Sequence, residues 1–245
     1  MRAGERFFDP RLLLRLVLWS GAFIANAALA HDELKPFVAS YTWIWHGLTV
    51  AESTLQLERR DDNTWVYHSK SDPRGIGRMM SERPLQRSVM RVTDEGVQPL
   101  SYFADDGTPS TKRDIDVKFD WTHGRVSGVY EDQPVDLPIV PGLQDDLSVQ
   151  IATMVELLQG RMPDKFSLLN GNAVREYHYI RENEESVSTP LGRIATVIYR
   201  SEKAGSPRAT RFWCAPSQGY IPVRVEQKRK DDVEWTLQIQ SLERQ

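Results

Sequence analysis

Residues 141–160 form the one long stretch after residue 30 whose pattern is typical of a helix. Its apolar residues recur at spacings of three and four and so share one face: Leu147, Ile151, Met154, Val155 and Leu158, with Leu143 one turn earlier. Pro141 breaks the preceding segment, and Gly160 suits the helix end. Asp145 or Asp146 can cap the free N–H groups of the first turn. Because a single apolar helix in a chain of strands must bury its stripe against a sheet, this stretch constrains the fold strongly.

The rest of the chain alternates with period two, which is typical of half-buried antiparallel strands. The clearest example is residues 115–121, where apolar side chains occupy one face and charged ones the other, and residues 235–239 repeat this design. Short turn signals such as Asn170-Gly171 separate runs of strand length. The pattern predicts a mainly β protein of roughly a dozen strands. We expect a strongly curved antiparallel sheet, an incomplete barrel, with one main α-helix on its concave side.

The beginning of the chain is typical of a cleaved signal peptide, which we place at residues 1–30. A basic start precedes an apolar run, and Ala28-Leu29-Ala30 fits the small-x-small cleavage rule. The run is shorter than the roughly 20 residues of a membrane-spanning helix, so we expect no span after cleavage. Residues 31–245 are predicted to form a single β-rich domain. Cys214 is the only cysteine, and an exported chain without an intramolecular disulfide fits the periplasm.

Charge and motif content argue against several function classes. The net charge is −3, which offers no basic surface for nucleic acid. The histidines lack the spacing of a zinc site, and neither a serine-hydrolase elbow nor a cysteine-protease signature is present. Adjacent carboxylates at Asp145 and Asp146 point in different directions, so helix capping explains them better than acid–base chemistry. The sequence therefore predicts no enzyme, no catalytic residue, no metal and no cofactor.

Several short motifs resemble a family of exported bacterial proteins, the domain-of-unknown-function family 3108. In chain order the motifs are Pro36-Phe37-x-Ala39-x-Tyr41, Pro73-Arg74-Gly75, Pro99-x-x-Tyr102, Phe119-Asp120-Trp121, Pro141-Gly142-x-Gln144-Asp145-x-Leu147-Ser148, Thr189-Pro190-Leu191-Gly192 and Gly219-Tyr220-Ile221-Pro222-Val223-Arg224. One departure is Val50-Ala51-Glu52, where a glycine is expected before the glutamate. The family implies no reaction. The expected architecture is also similar, more loosely, to the periplasmic lipoprotein carriers, a likeness of fold that favours an apolar ligand.

Residues 73–80 are the most unusual segment, because two glycines and two arginines accompany apolar side chains that are too few for a core helix. One interpretation is a flap at the mouth of the half-barrel, in which Ile76, Met79 and Met80 touch an acyl chain. Arg74 or Arg78 would then lie near an anionic head group. The alternative is a turn whose methionines tuck under the sheet edge.

Two further groups complete the candidate ligand site. Trp43 and Trp45 lie on a strand that is apolar on both faces, which is typical of a central core strand or of one that also lines a cavity. Three residues of the helix, Leu147, Ile151 and Met154, would form the floor or the movable cover of that cavity.

The sequence favours a periplasmic binding protein that sequesters an apolar ligand, such as a lipid or acyl chain, in a half-barrel. The alternative is an envelope interaction or scaffold protein whose core is filled by its own side chains and whose surface docks another envelope protein. A solid core and a lined cavity use the same residues, so the presence of a void separates the two hypotheses.

Overall fold

The computed structural model describes residues 33–60, 64–79 and 83–244. The predicted signal peptide and Met80 lie outside these residues. The strands are β1 (Phe37–Trp45), β2 (Leu48–Arg59), β3 (Thr64–Pro73), β4 (Leu85–Thr93), β5 (Gly96–Asp105), β6 (Ile115–Asp120), β7 (Arg125–Tyr130), β8 (Gln133–Pro138), β9 (Leu143–Gln144), β10 (Lys165–Asn170), β11 (Ala173–Thr189), β12 (Gly192–Glu202), β13 (Arg208–Ala215), β14 (Ile221–Arg229) and β15 (Asp232–Arg244). The α-helix of this part of the chain is α1 (Ser148–Leu158), and short 3₁₀ turns span Gly75–Met79, Thr111–Arg113 and Pro216–Gln218.

All fifteen strands belong to one curved sheet that does not close into a barrel. From one edge the order runs β8 to β1 in reverse chain order, and then β15 to β9. Neighbouring strands are antiparallel except for β9 and β10, which are parallel. Pairing of β1 with β15 joins the two halves of the meander. The predicted incomplete antiparallel barrel is therefore confirmed, with somewhat more strands than the turn signals suggested.

Side chains on the concave face form the core together with the helix. On β6 burial alternates strictly, with Ile115, Val117 and Phe119 buried and the charged residues between them exposed. This confirms the period-two interpretation. The same core contains Tyr41 of β1 and Ile151 of α1, so the helix packs on the concave side as predicted.

The helix is shorter than the apolar pattern suggests. It begins at Ser148, whereas Leu143 lies in β9 and pairs with Ser167 of β10. Leu143 was therefore wrongly placed in the helix. Its side chain is fully buried, as the pattern required, but strand pairing with a residue far along the chain determines its backbone.

A buried polar anchor holds the start of α1. Oδ1 of Asp145 accepts hydrogen bonds from the N–H groups of Leu147 (2.9 Å) and Ser148 (2.7 Å), and Oδ2 accepts one from Ser88. Nε2 of Gln144 donates to the carbonyl of Val97 at 2.8 Å. The capping role predicted for Asp145 is confirmed, and the anchor ties the helix to β4 and β5.

Candidate ligand-binding site

Trp43 lies on the concave face near the C-terminal end of β1. It packs against the core, and its ring centroid is 5.0 Å from that of Trp235. Its Nε1 donates a hydrogen bond of 2.6 Å to Oγ of Ser53. Trp45, at the end of the strand, is 40 % exposed. The two tryptophans therefore differ in environment, since Trp43 packs against the core and Trp45 lies at the exposed end of the strand.

The predicted flap is a 3₁₀ turn, Gly75–Met79, that packs against the start of β2. The N–H of Arg74 donates to the carbonyl of Val50 at 2.7 Å. A Cβ placed on Gly77 would lie only 2.0 Å from that same carbonyl oxygen, so the close approach requires glycine. The turn thus lies against β2 at Val50, the residue next to Ala51.

The arginines of this segment are engaged within the protein. The guanidinium of Arg74 pairs with Glu52 (3.0 Å) and with Asp72 (3.2 Å), and the hydrogen bond that it donates to Glu52 raises the pKa of Arg74. Nε of Arg78 donates to the carbonyl of Pro73 at 3.2 Å. Arg74 is therefore already neutralised by two carboxylates.

A cavity of about 300 Å³ opens between Trp43 and the 3₁₀ turn. Its lining residues carry no ionisable side chain, and they are Trp43, Val50, Ala51, Ser69, Ser71, Pro73, Gly77, Pro84 and Gln86. A larger groove of about 790 Å³ follows the residues that alternate with these on β1, β2 and β3, and it contains Glu52, Lys70, Asp72 and Arg83. The uncharged cavity is the better match to an apolar ligand, despite its smaller volume.

The sequence-predicted residues separate into two groups. Trp43 lines the cavity, and the segment that contains Ile76 and Met79 borders it through Gly77, whereas Ile76, Met79 and Trp45 are not among its lining residues. By contrast, Leu147, Ile151 and Met154 are buried in the core with Tyr41, Tyr67 and Tyr102. These helix residues do not line the cavity, and they reach a ligand only if α1 moves away from the sheet.

Six lining residues escaped the sequence interpretation: Val50, Ala51, Ser69, Ser71, Pro84 and Gln86. A signal was present on β3, where the buried series Trp65 and Tyr67 changes to serine at the next two positions of the same face. When the inward-facing residues of a strand change from aromatic to small and polar, the side chains at that end are too small to fill the interior.

Other polar groups lie outside the cavity. The carboxylates of Asp105, Asp106 and Asp114 lie within 4.8 Å of one another, a grouping that could hold a metal ion. Hydrogen bonds from Thr108 lower the pKa of Asp106, as expected for an acid already satisfied within its loop. Cys214 is buried, and burial raises the pKa of its thiol to about 12.

The arginines near the β13–β14 hairpin pair with glutamates. Arg208 pairs with Glu234 at 2.8 Å, and Arg224 pairs with Glu226. A membrane-spanning helix is not found in the described residues, because none of their helices is long and apolar enough.

Comparison with solved structures supports the fold. The chain is similar to a beta-barrel-like protein of domain of unknown function DUF1849 from Brucella abortus, with 10 % identity, a TM-score of 0.53, and coverage of 87 % of this chain and 99 % of that one. More distant likenesses are a protein with a YmcC-like fold from Bacteroides fragilis (12 % identity, TM-score 0.41, coverage 86 % and 97 %) and the Pseudomonas aeruginosa MucA/MucB complex (11 % identity, TM-score 0.38, coverage 87 % and 53 %).

Sequence comparison identifies the family. A search among curated proteins found no match. The family model described as "Protein of unknown function (DUF3108)" matches residues 38–238, which include every strand of the sheet at least in part. This agrees with the resemblance carried by the sequence motifs. The chain therefore belongs to the DUF3108 family.

Proposed function

We propose that this protein is a periplasmic binding protein that holds one apolar chain, of a lipid or another acyl compound, in the cavity beside Trp43. The observation that carries the proposal is a cavity of about 300 Å³ whose lining residues carry no ionisable side chain, bordered through Gly77 by a turn with exposed apolar side chains. This volume is at the small end of ligand-binding pockets, so it suits a single chain better than a two-chain lipid.

Four apolar side chains at the end of the β1–β2 hairpin and in the neighbouring 3₁₀ turn are exposed. Exposed fractions are 40 % for Trp45, 56 % for Leu48, 42 % for Ile76 and 88 % for Met79. Leu48 and Trp45 are paired at the end of the β1–β2 hairpin, and the 3₁₀ turn packs two residues further along β2. We name these four side chains the apolar rim. Clustered exposed apolar groups commonly mark binding surfaces, and here they continue from the cavity.

The cavity has no residue of α1 in its lining. Ile151 and Met154 of the helix pack in the core with Tyr67. The core at these helix residues and the cavity are therefore lined by different side chains. In this proposal α1 does not touch the ligand. It supports the binding region indirectly, because it packs against the core residues behind the cavity.

Burial of an alkyl chain supplies enough free energy for useful affinity. Each buried methylene contributes about 0.8 kcal/mol. A segment of roughly eight methylenes would contribute about 6 kcal/mol, before the costs of association and of ordering the chain are subtracted. Since no lining residue is ionisable, we propose binding rather than catalysis, and export to the periplasm follows from the expected signal peptide.

The proposal can be tested by filling the cavity. Protein purified from periplasm is examined by native mass spectrometry for bound mass, and binding of a fluorescent alkyl probe is measured by titration. Ala51→Phe places a ring in the cavity, and we expect it to weaken probe binding at least about tenfold. Thr54→Phe on the exposed face of the same strand is the matched control, with unchanged binding expected. Absence of both bound mass and probe binding in the wild type would overturn the proposal.

The filled core beneath α1 favours a second candidate, docking of an envelope protein onto the apolar rim. The two functions respond differently to substitution. If docking is the function, Ile76→Ser and Met79→Ser abolish association with the partner whereas Ala51→Phe leaves it intact. If chain binding is the function, Ala51→Phe has the larger effect.

A further inference from the structure

We infer, resting on the proposed function, that the bound chain enters with an uncharged end that both donates and accepts hydrogen bonds, such as a hydroxyl or an N–H amide. This end would lie against Ser71 and Gln86, and the apolar part of the ligand would lie toward Trp43 and the rim. The inference follows from a gradient of polarity within the cavity and from the hydrogen bonds that its polar side chains already make.

The register of the strands shows which residues lie at the outer level of the cavity, where the polarity gradient begins. Ala51 of β2 is paired with Trp43 of β1 on one side and with Pro73 of β3 on the other. All three side chains line the cavity near the 3₁₀ turn. This level is apolar and lies nearest the exposed rim.

The next levels toward the core are polar. Ser53 is paired with Ser71, and one level deeper Ser69 is paired with Gln86. Beyond them, Tyr67 is paired with Ser88, which holds the start of α1. The floor of the cavity is therefore polar and its mouth is apolar. A pocket into which a ligand inserts its alkyl tail first would have the opposite order, with an apolar floor.

The donors and acceptors on this floor can be assigned from its hydrogen bonds. Trp43 Nε1 can only donate, so Oγ of Ser53 accepts from it at 2.6 Å. Oγ of Ser53 is also 2.6 Å from Oγ of Ser71, and either hydroxyl could be the donor of this hydrogen bond. In our inference Ser53 is the donor, so that the hydroxyl hydrogen of Ser71 donates into the cavity.

Gln86 supplies the complementary group. Its Nε2 donates to the hydroxyl of Tyr102 at 3.2 Å, which leaves Oε1 as an acceptor. The floor thus combines one donor, Ser71, with one acceptor, Gln86. A hydroxyl or an N–H amide satisfies both, whereas an ether or an ester satisfies only the donor.

A charged end does not fit this site. No lining residue is ionisable, and the nearby guanidinium of Arg74 is paired with Glu52 and Asp72. An unpaired charge in such a cavity would lose its hydration without compensation. The anionic head group considered from the sequence is therefore disfavoured within the cavity.

Competition among ligands with the same alkyl chain tests the inference. Decanol, decanamide, decyl methyl ether and decanoate are each titrated against the fluorescent alkyl probe at pH 8. We expect decanol and decanamide to displace the probe at concentrations roughly tenfold lower than the other two, because one satisfied hydrogen bond has about this effect. Gln86→Met, which keeps the length of the side chain, and Ser71→Ala should remove this preference while retaining binding of the ether. Ser40→Ala, on the opposite face, is the control.

The outcomes separate the inference from the proposed function. If all four compounds displace the probe equally, or if decanoate is preferred, the inference is overturned and chain binding stands. If the probe itself does not bind to the wild type, the proposed function fails. Loss of binding to every compound in both Gln86→Met and Ser71→Ala, with the fold intact, would show that these side chains shape the cavity rather than recognise a polar end, and this too overturns the inference.

Discussion

Ser88 of β4 donates a hydrogen bond of 2.7 Å to Asp145 at the start of α1, although the two residues are 57 positions apart. Both side chains are buried. Because the other carboxylate oxygen accepts from two N–H groups of the helix start, this carboxyl connects helix and sheet through three hydrogen bonds. This contact therefore holds the start of the helix against β4 of the sheet.

Removing the carboxyl should destabilise the fold. We expect Asp145→Ala to lower the free energy of unfolding by about 2–4 kcal/mol, since it leaves buried donors unsatisfied. Ser88→Ala should cost less, about 1–2 kcal/mol, because the carboxyl keeps its backbone donors. Urea denaturation of the two single variants and the double variant measures the coupling between them. Additive effects would contradict a direct contact.

Stability should depend on pH through Asp145. Burial raises the pKa of this carboxyl from 3.8 to about 6, so the folded state holds its proton more tightly than the unfolded state. The corresponding stabilisation, about 3 kcal/mol, is complete below pH 4 and is lost as the pH rises through about 6. Desolvation raises the pKa of Asp146 as well, but that residue is exposed, so water screens its charge and its contribution is smaller.

Asp145→Asn isolates this effect, because the amide resembles the protonated acid. We expect the variant to be more stable than the wild type at pH 7.5, and the difference to be much smaller near pH 4.5, as measured by urea denaturation at both values. The comparison cancels the contribution of His68, whose pKa is lowered by burial and which acts in the opposite direction. Parallel pH profiles of the two proteins would contradict the prediction.

Gly77→Ala should disturb the cavity. The added Cβ would lie 2.0 Å from the carbonyl oxygen of Val50, so the 3₁₀ turn must move away from β2. We expect a loss of about 1–3 kcal/mol in the free energy of unfolding and weaker binding of an alkyl probe. Gly75→Ala is the matched control, since its Cβ meets no atom within 4 Å and only the positive φ of +50° is strained, which costs about 1–2 kcal/mol. Equal probe affinity in the wild type and Gly77→Ala would exclude a role of the turn in binding.

Cys214 should be unreactive in the folded protein. It is buried with Leu157 and Tyr199, and burial raises its pKa to about 12, so very little thiolate exists at pH 8. We expect no labelling by iodoacetamide under native conditions and complete labelling in urea. Rapid native labelling would show that this part of the core opens.

The local pattern was sufficient for the elements of the fold. Alternation at residues 115–121 predicted β6, because one wet face and one buried face impose period two on any such strand. The apolar stripe predicted α1, and the acid before it predicted the cap at Asp145, since both depend on residues within a few positions of one another. The family could likewise be recognised from short motifs in chain order.

Long-range pairing decided the rest. Leu143 continues the apolar series but is a strand residue, because pairing with Ser167 outweighs the local preference. Ser71 and Gln86 became a candidate site only when the register of β2, β3 and β4 brought them into the cavity that Trp43 also lines. Whether a side chain fills space or borders a void depends on what faces it across the sheet. Only the tertiary structure contains that information, because the side chains that face one another come from distant parts of the chain.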